Sequence, residues 1–291
     1  MIVASTVVDL RCGLKNLRRH GKRIAFVPTM GNLHAGHLRL VEEARRRADA
    51  VAVSIYVNPL QFGRQEDFGS YPHTPEEDRR VLAGRGVDLL FTPDDAEMYP
   101  HGPEAMTKIE VPGVSDILCG AFRPGHFRAV ATVVNRLFHL VQPEVALFGK
   151  KDYQQWLVIR LMVADLGMPV DVVGVETVRE ADGLAMSSRN SYLTAGERRI
   201  APRLYATLCA LRDRIVSRPG DYARLEQQAL EELGAAGFRP DYVSLRRQQD
   251  LGAPLASDRR LVLLAAAWLG RTRLIDNIEL ELGADGIVSA H

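Results

Sequence analysis

The sequence predicts an α/β protein: a doubly wound, mostly parallel sheet followed by a smaller α+β domain. Two observations carry this. Up to about residue 177, short apolar or β-branched runs alternate with helix-length amphipathic segments, the pattern of strands joined by covering helices. Beyond that point two helical patterns come first and three strand patterns follow, which marks a separate unit. The length of 291 residues, with 46% hydrophobic and 25% charged, suits one large or two ordinary globular domains.

The elements follow in order. "RIAFV" (23–27) is an apolar run ended by Pro28 and reads as a buried strand. Over 36–49, Leu38, Leu40, Val41, Ala44 and Ala48 recur at helical spacing, with Glu42, Glu43 and the arginines at 45–47 mostly on the other side. "AVAVSIYV" (50–57) is a β-branched strand that stops at the Asn58-Pro59 turn signal. A helix over 74–86 has Thr74 as N-cap, Pro75 at its first position and Glu77 as the acid of a capping box. Strand 87–91, helix 127–141, strand 145–148, helix 153–167 and strand 170–176 complete the alternation. The second part offers helices over 194–216 and 222–237, then strands over 241–246, 260–269 and 272–280. The expected architecture is a Rossmann-like doubly wound parallel sheet over 1–177 and a C-terminal α+β domain over 178–291. Ligands on such a sheet bind at the carboxyl ends of its strands.

Thirty-seven basic against thirty-six acidic residues leave a net charge of +1, so no bulk field favours nucleic acid or an anionic membrane. Cys12, Cys119 and Cys209 are odd in number and widely spaced, which suggests neither a disulfide framework nor a zinc site. The N-terminus lacks the basic start of a signal peptide, and no apolar run approaches the roughly 20 residues that span a bilayer. A cytoplasmic protein is expected. Neither a P-loop nor GxGxxG is present, so any nucleotide is held another way.

"PTMGNLHAGHLRLV" (28–41) offers that way. It brings His34 and His37 to a strand-to-helix turn, where unpaired N–H groups and the helix dipole favour anions. Gly36 lets a phosphate approach the backbone, and two imidazoles can donate to its oxygens as charge builds. Beside a polyphosphate, each imidazole is expected to be held more protonated than usual. Downstream, "GLAMSSRNSYL" (183–193) supplies hydroxyls and N–H groups from Ser187 and Ser188 and a phosphate fork from Arg189.

"HAGH" resembles the HIGH-type signature of the nucleotidylyltransferase superfamily, and "AMSSRN" resembles its KMSKS-type loop with Ala185 in place of the opening lysine. Taken in order, "PTMGNLHAGH", "VSIYVNPLQFG", "DF..YPHT", "RPGHF", "LFGKKDYQQ" and "VREADGLAMSSRN" resemble the pantoate–β-alanine ligase family; "AAWLGRTRLIDN" (266–277) extends the likeness over nearly the whole chain.

The resemblance implies an ATP-dependent ligase of pantothenate biosynthesis, on the way to coenzyme A. It would make a pantoyl adenylate, release pyrophosphate, and pass the acyl group to β-alanine with loss of AMP. It implies ATP contacts at Met30, Gly31, Asn32, Leu33, His34, Ala35, Gly36 and His37, with His37 as proton donor. Further ATP contacts are implied at Gly149, Lys150, Lys151, Asp152, Val178, Met186, Ser187, Ser188 and Arg189. Lys151 is the catalytic cation, and Lys150 departs from the acidic residue common in the family. Asp152 has helix N-capping as a rival role. Gln61 and Gln155 match the pantoate-binding glutamines, neutral amides that bind a carboxylate without quenching it. Asn58, Arg123 and His126 are further candidates for pantoate or β-alanine contacts. Magnesium is expected with ATP, with Glu77 and Asp78 as tentative acids. A homodimer is implied by the family, and the second domain is expected to act as a lid carrying the MSSR loop.

Three other readings share parts of this pattern. An adenylyltransferase acting on a phosphorylated acceptor would keep both phosphate loops but leave AMP in its product. A fragment of a class I aminoacyl-tRNA synthetase would need a basic tRNA surface that the charge balance does not supply. A non-catalytic nucleotide-binding regulator would tolerate loss of His37 or Lys151, and both are present.

Overall fold

The computed structural model describes residues 1–63, 68–217 and 220–282, and the backbone of 288–289. Of the motifs above, Asp67 alone lies outside the described residues. The chain divides into two compact units, Met1–Lys150 with Gln155–Glu176, and Lys151–Gln154 with Thr177–His291.

The first unit opens with two elements the apolar periodicity did not single out, strand β1 (Ile2–Ala4) and helix α1 (Val7–Arg19). Thr6 caps α1 by accepting from Asp9 N–H. Then follow β2 (Ile24–Thr29), α2 (Ala35–Arg47), β3 (Ala50–Ile55), α3 (Pro75–Gly84), β4 (Leu89–Phe91), the short α4 (Asp95–Met98) and α5 (Cys119–Phe122), α6 (His126–Val141), β5 (Val145–Gly149), α7 (Tyr153–Asp165) and β6 (Asp171–Val175). The six strands form one sheet in the order β1-β4-β3-β2-β5-β6, every pair parallel. Ala25 and Val27 of β2 pack with Leu40, Val41 and Ala44 of α2, while Ile24 and Phe26, at 0% exposure, alternate to the opposite face.

β2 does not stop at Pro28; it runs on to Thr29. Thr29 O accepts from Tyr56 N, so Thr29 faces β3 and Pro28, by alternation, faces the β5 edge. Pairing with β5 has already ended at Phe26, so the missing proline N–H costs no ladder bond.

The capping box on α3 is absent. Thr74 precedes the helix without a side-chain cap bond, and Glu77 instead pairs with Arg80 at 2.7 Å. An exposed acid beside an arginine three residues on has a partner nearer than the turn it was expected to close.

The second unit carries α8 (Ala195–Ile200), α9 (Arg203–Ser217), α10 (Tyr222–Ala235) and an antiparallel sheet of β7 (Arg239–Arg247), β8 (Arg260–Leu269), β9 (Thr272–Leu282) and β10 (Val288–Ser289) in the order β10-β9-β8-β7. The single helix expected over 194–216 is two, because Pro202 has no N–H to continue the ladder and its ring obstructs the preceding turn. Leu204, Leu208, Leu211, Leu225 and Leu233 pack with Leu263, Leu274, Ile278 and Leu280 into one core.

Candidate active site

The loop between β2 and α2 is held from beneath. Gly31 (φ +83°) and Asn32 (φ +51°) both take the left-handed conformation. A Cβ on Gly31 would stand 3.0 Å from Ile55 Cγ2 and 3.1 Å from Asp78 Oδ2, so both neighbours would have to give way, and the positive φ would strain the side chain as well. The Asp78 carboxylate, 2% exposed on α3, accepts from Asn32 N–H through Oδ2 and from Leu33 N–H through Oδ1, each at 2.8 Å.

His34 is the N-cap of α2, and its Nδ1 accepts from Gly36 N–H at 3.1 Å. His37 answers in kind: its Nδ1 accepts from His34 N–H at 3.3 Å. The rings lie 4.1 Å apart between centroids. A nitrogen that accepts carries no proton, so this pairing assigns both rings the neutral form with the proton on Nε2. Protonating Nδ1 of either ring would break the cap. Each ring is thus a neutral Nε2–H donor.

A second group of expected residues assembles around Gln61, in the 3-10 turn Pro59–Gln61. Its Oε1 accepts from Asn58 Nδ2 at 3.3 Å, and its Nε2 donates to Met30 Sδ at 3.0 Å. Asn58 is 1% exposed; its Oδ1 accepts from Leu60 N–H and, at 2.7 Å, from the Tyr99 hydroxyl. Burial first, and the charge of Asp95 second, push the Tyr99 phenol well above its ordinary pKa, so it stays a donor. The Asn58 amide is occupied in holding Gln61.

His126, the first residue of α6, donates from Nδ1 to Gln61 O at 2.8 Å. Arg123 Nη1 donates to His126 Nε2 at 3.0 Å, which fixes that tautomer, and Arg123 Nη2 reaches Gln61 O at 3.4 Å. The structure therefore brings Met30, Asn58, Gln61, Arg123 and His126 together.

β5 ends at Gly149, and Lys150 pairs with Glu176 at 2.6 Å while lying 5.6 Å from the Trp156 ring centroid. The departure at Lys150 is thus a paired cation, not a loose one. Gln155 is half-buried, whereas Gln154, its neighbour in sequence, is 3% exposed and no part of a solvated face.

In the second unit, Lys151 and Asp152 lie in a 3-10 turn, with Lys151 Nζ 3.8 Å from Asp152 Oδ2. Asn277 Nδ2 holds the Lys151 carbonyl at 2.9 Å. Residues 178–186 form a tight hairpin in which Val178 O accepts from Met186 N–H and Arg179 pairs with Ala185. It leads into the 3-10 turn Ser188–Tyr192, which Ser187 caps by accepting from Arg189 N–H. Asn190 Nδ2 ties that turn back to Ala185 O at 3.0 Å.

No group of three or more His, Cys, Asp or Glu among the described residues is arranged to hold a metal ion. Glu77 pairs with Arg80 at the surface, and each Asp78 oxygen accepts one backbone N–H. Sequence reasoning did not single out Tyr99, Arg179, Asp276 or Asn277. It also missed the loop-holding task of Asp78, although an acid four residues before Leu82 on the apolar side of α3 was a usable signal.

The first unit is thus a parallel sheet with an HxGH turn at the start of α2, and the second carries the hairpin that leads into the serine-containing turn Ser188–Tyr192. The family model described as pantoate-beta-alanine ligase matches residues 2–279. Pantothenate synthetase of Chromohalobacter salexigens is 56% identical over 97% of this chain and 99% of its own length. That of Azotobacter vinelandii is 54% identical over 97% of this chain and 100% of its own. The crystal structure of pantothenate synthetase from Thermus thermophilus superposes with a TM-score of 0.87 at 49% identity, covering 95% of this chain and 98% of that one. Pantoate-beta-alanine ligase from Francisella tularensis, crystallised with beta-gamma ATP and beta-alanine, gives 0.79 at 33% identity over 95% and 97%. The chain belongs to the pantoate–β-alanine ligase family.

Proposed function

We propose that the chain condenses pantoate with β-alanine at the expense of ATP, with His37, His34, Lys151 and the hairpin residues on the phosphates and Gln61 and Gln155 on pantoate. A pantoate carboxylate oxygen attacks the α-phosphorus, the bond to the β-phosphate oxygen breaks, and pyrophosphate leaves. The β-alanine amine then attacks the acyl carbon, loses a proton, and expels AMP with the carboxylate oxygen attached. The observation that carries this reading is family membership over residues 2–279, with the reciprocal His34–His37 cap setting the start of α2 in its support.

Positioning supplies much of the rest. The thioether that Gln61 Nε2 reaches is a weak acceptor, so a pantoate oxygen replaces it readily. Lys151 and Arg189 supply the positive charge that Ala185 cannot. A magnesium ion accompanying ATP would be held mainly by phosphate oxygens and water, with Glu77 and Asp78 as the nearby acids. A cytoplasmic location and a homodimer belong to the same reading, the latter to be checked by sedimentation. So does closure of the second unit as a lid, which identical scattering profiles with and without an adenylate analogue would contradict.

The test is to identify products after incubation with ATP, magnesium and pantoate, with and without β-alanine. Pyrophosphate and a bound pantoyl adenylate, converted to AMP and pantothenate only when β-alanine is added, is the expected result. Absence of pyrophosphate in both mixtures would refute it.

A further inference from the structure

Two adjacent residues of β9 reach separate loops of the second unit. Along β9, Leu274, Ile278 and Leu280 point into the core, so Asp276 stands on the apolar face and is 4% exposed. A carboxylate there is tolerated only with a matched partner. Arg179 supplies it as a fork, Nη1 to Oδ2 at 2.7 Å and Nη2 to Oδ1 at 2.9 Å. The same guanidinium donates to Gly183 O at 3.1 Å and lies 3.5 Å from the Tyr205 ring centroid. Burial works against its charge, but the bond and charge of Asp276 outweigh that and keep it firmly protonated. Arg179 thereby closes with its side chain the hairpin that it opens with its backbone.

Asn277 points to the other face of β9 and is 7% exposed. Its Nδ2 donates to Lys151 O, while its backbone N–H donates to Asp276 Oδ1 at 2.8 Å. Its strand is paired with β8 from Thr272 to Glu281, with Asp276 opposite Ala265 and Asn277 opposite Leu264.

We propose that Asp276 and Asn277 are positioning residues for the adenylation step. Asp276 acts through Arg179 on the hairpin that presents Met186, Ser187, Ser188 and Arg189, and Asn277 acts on the backbone of Lys151. A strand laddered to β8 then sets two phosphate-binding segments from neighbouring residues, which loops alone do less well. This rests on the reading that Lys151 and the hairpin serve ATP.

The experiment separates the half-reactions. Single-turnover pyrophosphate release reports adenylation, and synthetic pantoyl adenylate with β-alanine reports amide formation. Asn277→Ala is expected to slow adenylation about 10- to 100-fold, with amide formation unchanged within about twofold. In a Lys151→Ala background the same substitution is expected to add nothing further. Asn277→Ser, which keeps a short polar group in the same space, is the second variant and is read the same way. Arg179→Lys keeps a charge beside Asp276 but loses the fork, and is expected to raise KM for ATP while leaving KM for pantoate unmoved. An unchanged adenylation rate, equal losses in both half-reactions, or additive losses with Lys151→Ala would overturn the proposal. A silent Lys151→Ala would instead remove the underlying reading of Lys151, and the positioning role with it.

Discussion

His34 and His37 each hold a backbone N–H with ring nitrogen Nδ1, so the cap requires the same tautomer of both rings. His37→Ala is expected to slow adenylate formation by about 10²- to 10³-fold, the usual worth of one hydrogen-bond donor aimed at developing charge. The stability loss should be only about 1 kcal/mol, for one weakened cap. Single-turnover pyrophosphate release and a melting curve measured on the same sample check both halves; an intact rate would remove His37 from the chemistry. Asp78→Asn makes a different prediction. An amide can accept with one oxygen only, so one of the two N–H groups of Asn32 and Leu33 is left unpaired. KM for ATP should rise while KM for β-alanine stays put, and equal rises in both would contradict a role confined to the ATP loop. The local turns were legible in the sequence where one short segment contains them, as in HAGH and MSSRN, which form a capped helix start and a capped 3-10 turn. The Arg179–Asp276 fork was not legible, since its partners stand 97 residues apart in the chain. Half of it showed: Asp276 interrupts the alternation Thr272, Leu274, Ile278, Leu280 as a lone acid among core positions.

At the scale of elements, the strands and helices that periodicity locates are those with a continuous apolar face, and the misreadings have local causes. Pro28 and Pro202 look alike as breakers, but only Pro202 falls where a helix needs its N–H; Pro28 falls on a side of β2 where pairing has ended. The packing of α10 on β7 carries a pH-dependent prediction. Glu226 of α10 accepts from Leu245 N–H of β7 at 2.6 Å, yet burial outweighs that bond and raises its carboxyl pKa. In the unfolded chain the group titrates near the ordinary value of about 4.3. Between that value and the raised folded one, the folded state binds more protons, so this group's contribution to stability is fully present below about 4.3 and is lost as pH rises through the folded pKa. Glu226→Gln keeps the acceptor without the charge. It should raise Tm at pH 7 relative to the parent and leave the two indistinguishable near pH 4; the opposite ordering would show that the backbone bond dominates. On the α6 side, Tyr99→Phe deletes the 2.7 Å bond to Asn58 and should raise KM for pantoate through Gln61 without moving KM for ATP. A change in KM for ATP alone would contradict that path.

For the whole molecule, the account places activation of a carboxylate on ATP ahead of amide formation, and family membership over residues 2–279 covers both units. The central claim is that the pantoate carboxylate itself attacks the α-phosphorus. Transfer of label from pantoate carrying ¹⁸O in its carboxylate tests it most directly, with the products AMP and pyrophosphate read by mass spectrometry. The expected result is one ¹⁸O in AMP per pantothenate formed and none in pyrophosphate. Unlabelled AMP, or label in pyrophosphate, would mean that the carboxylate never bonded to the α-phosphorus and would contradict it.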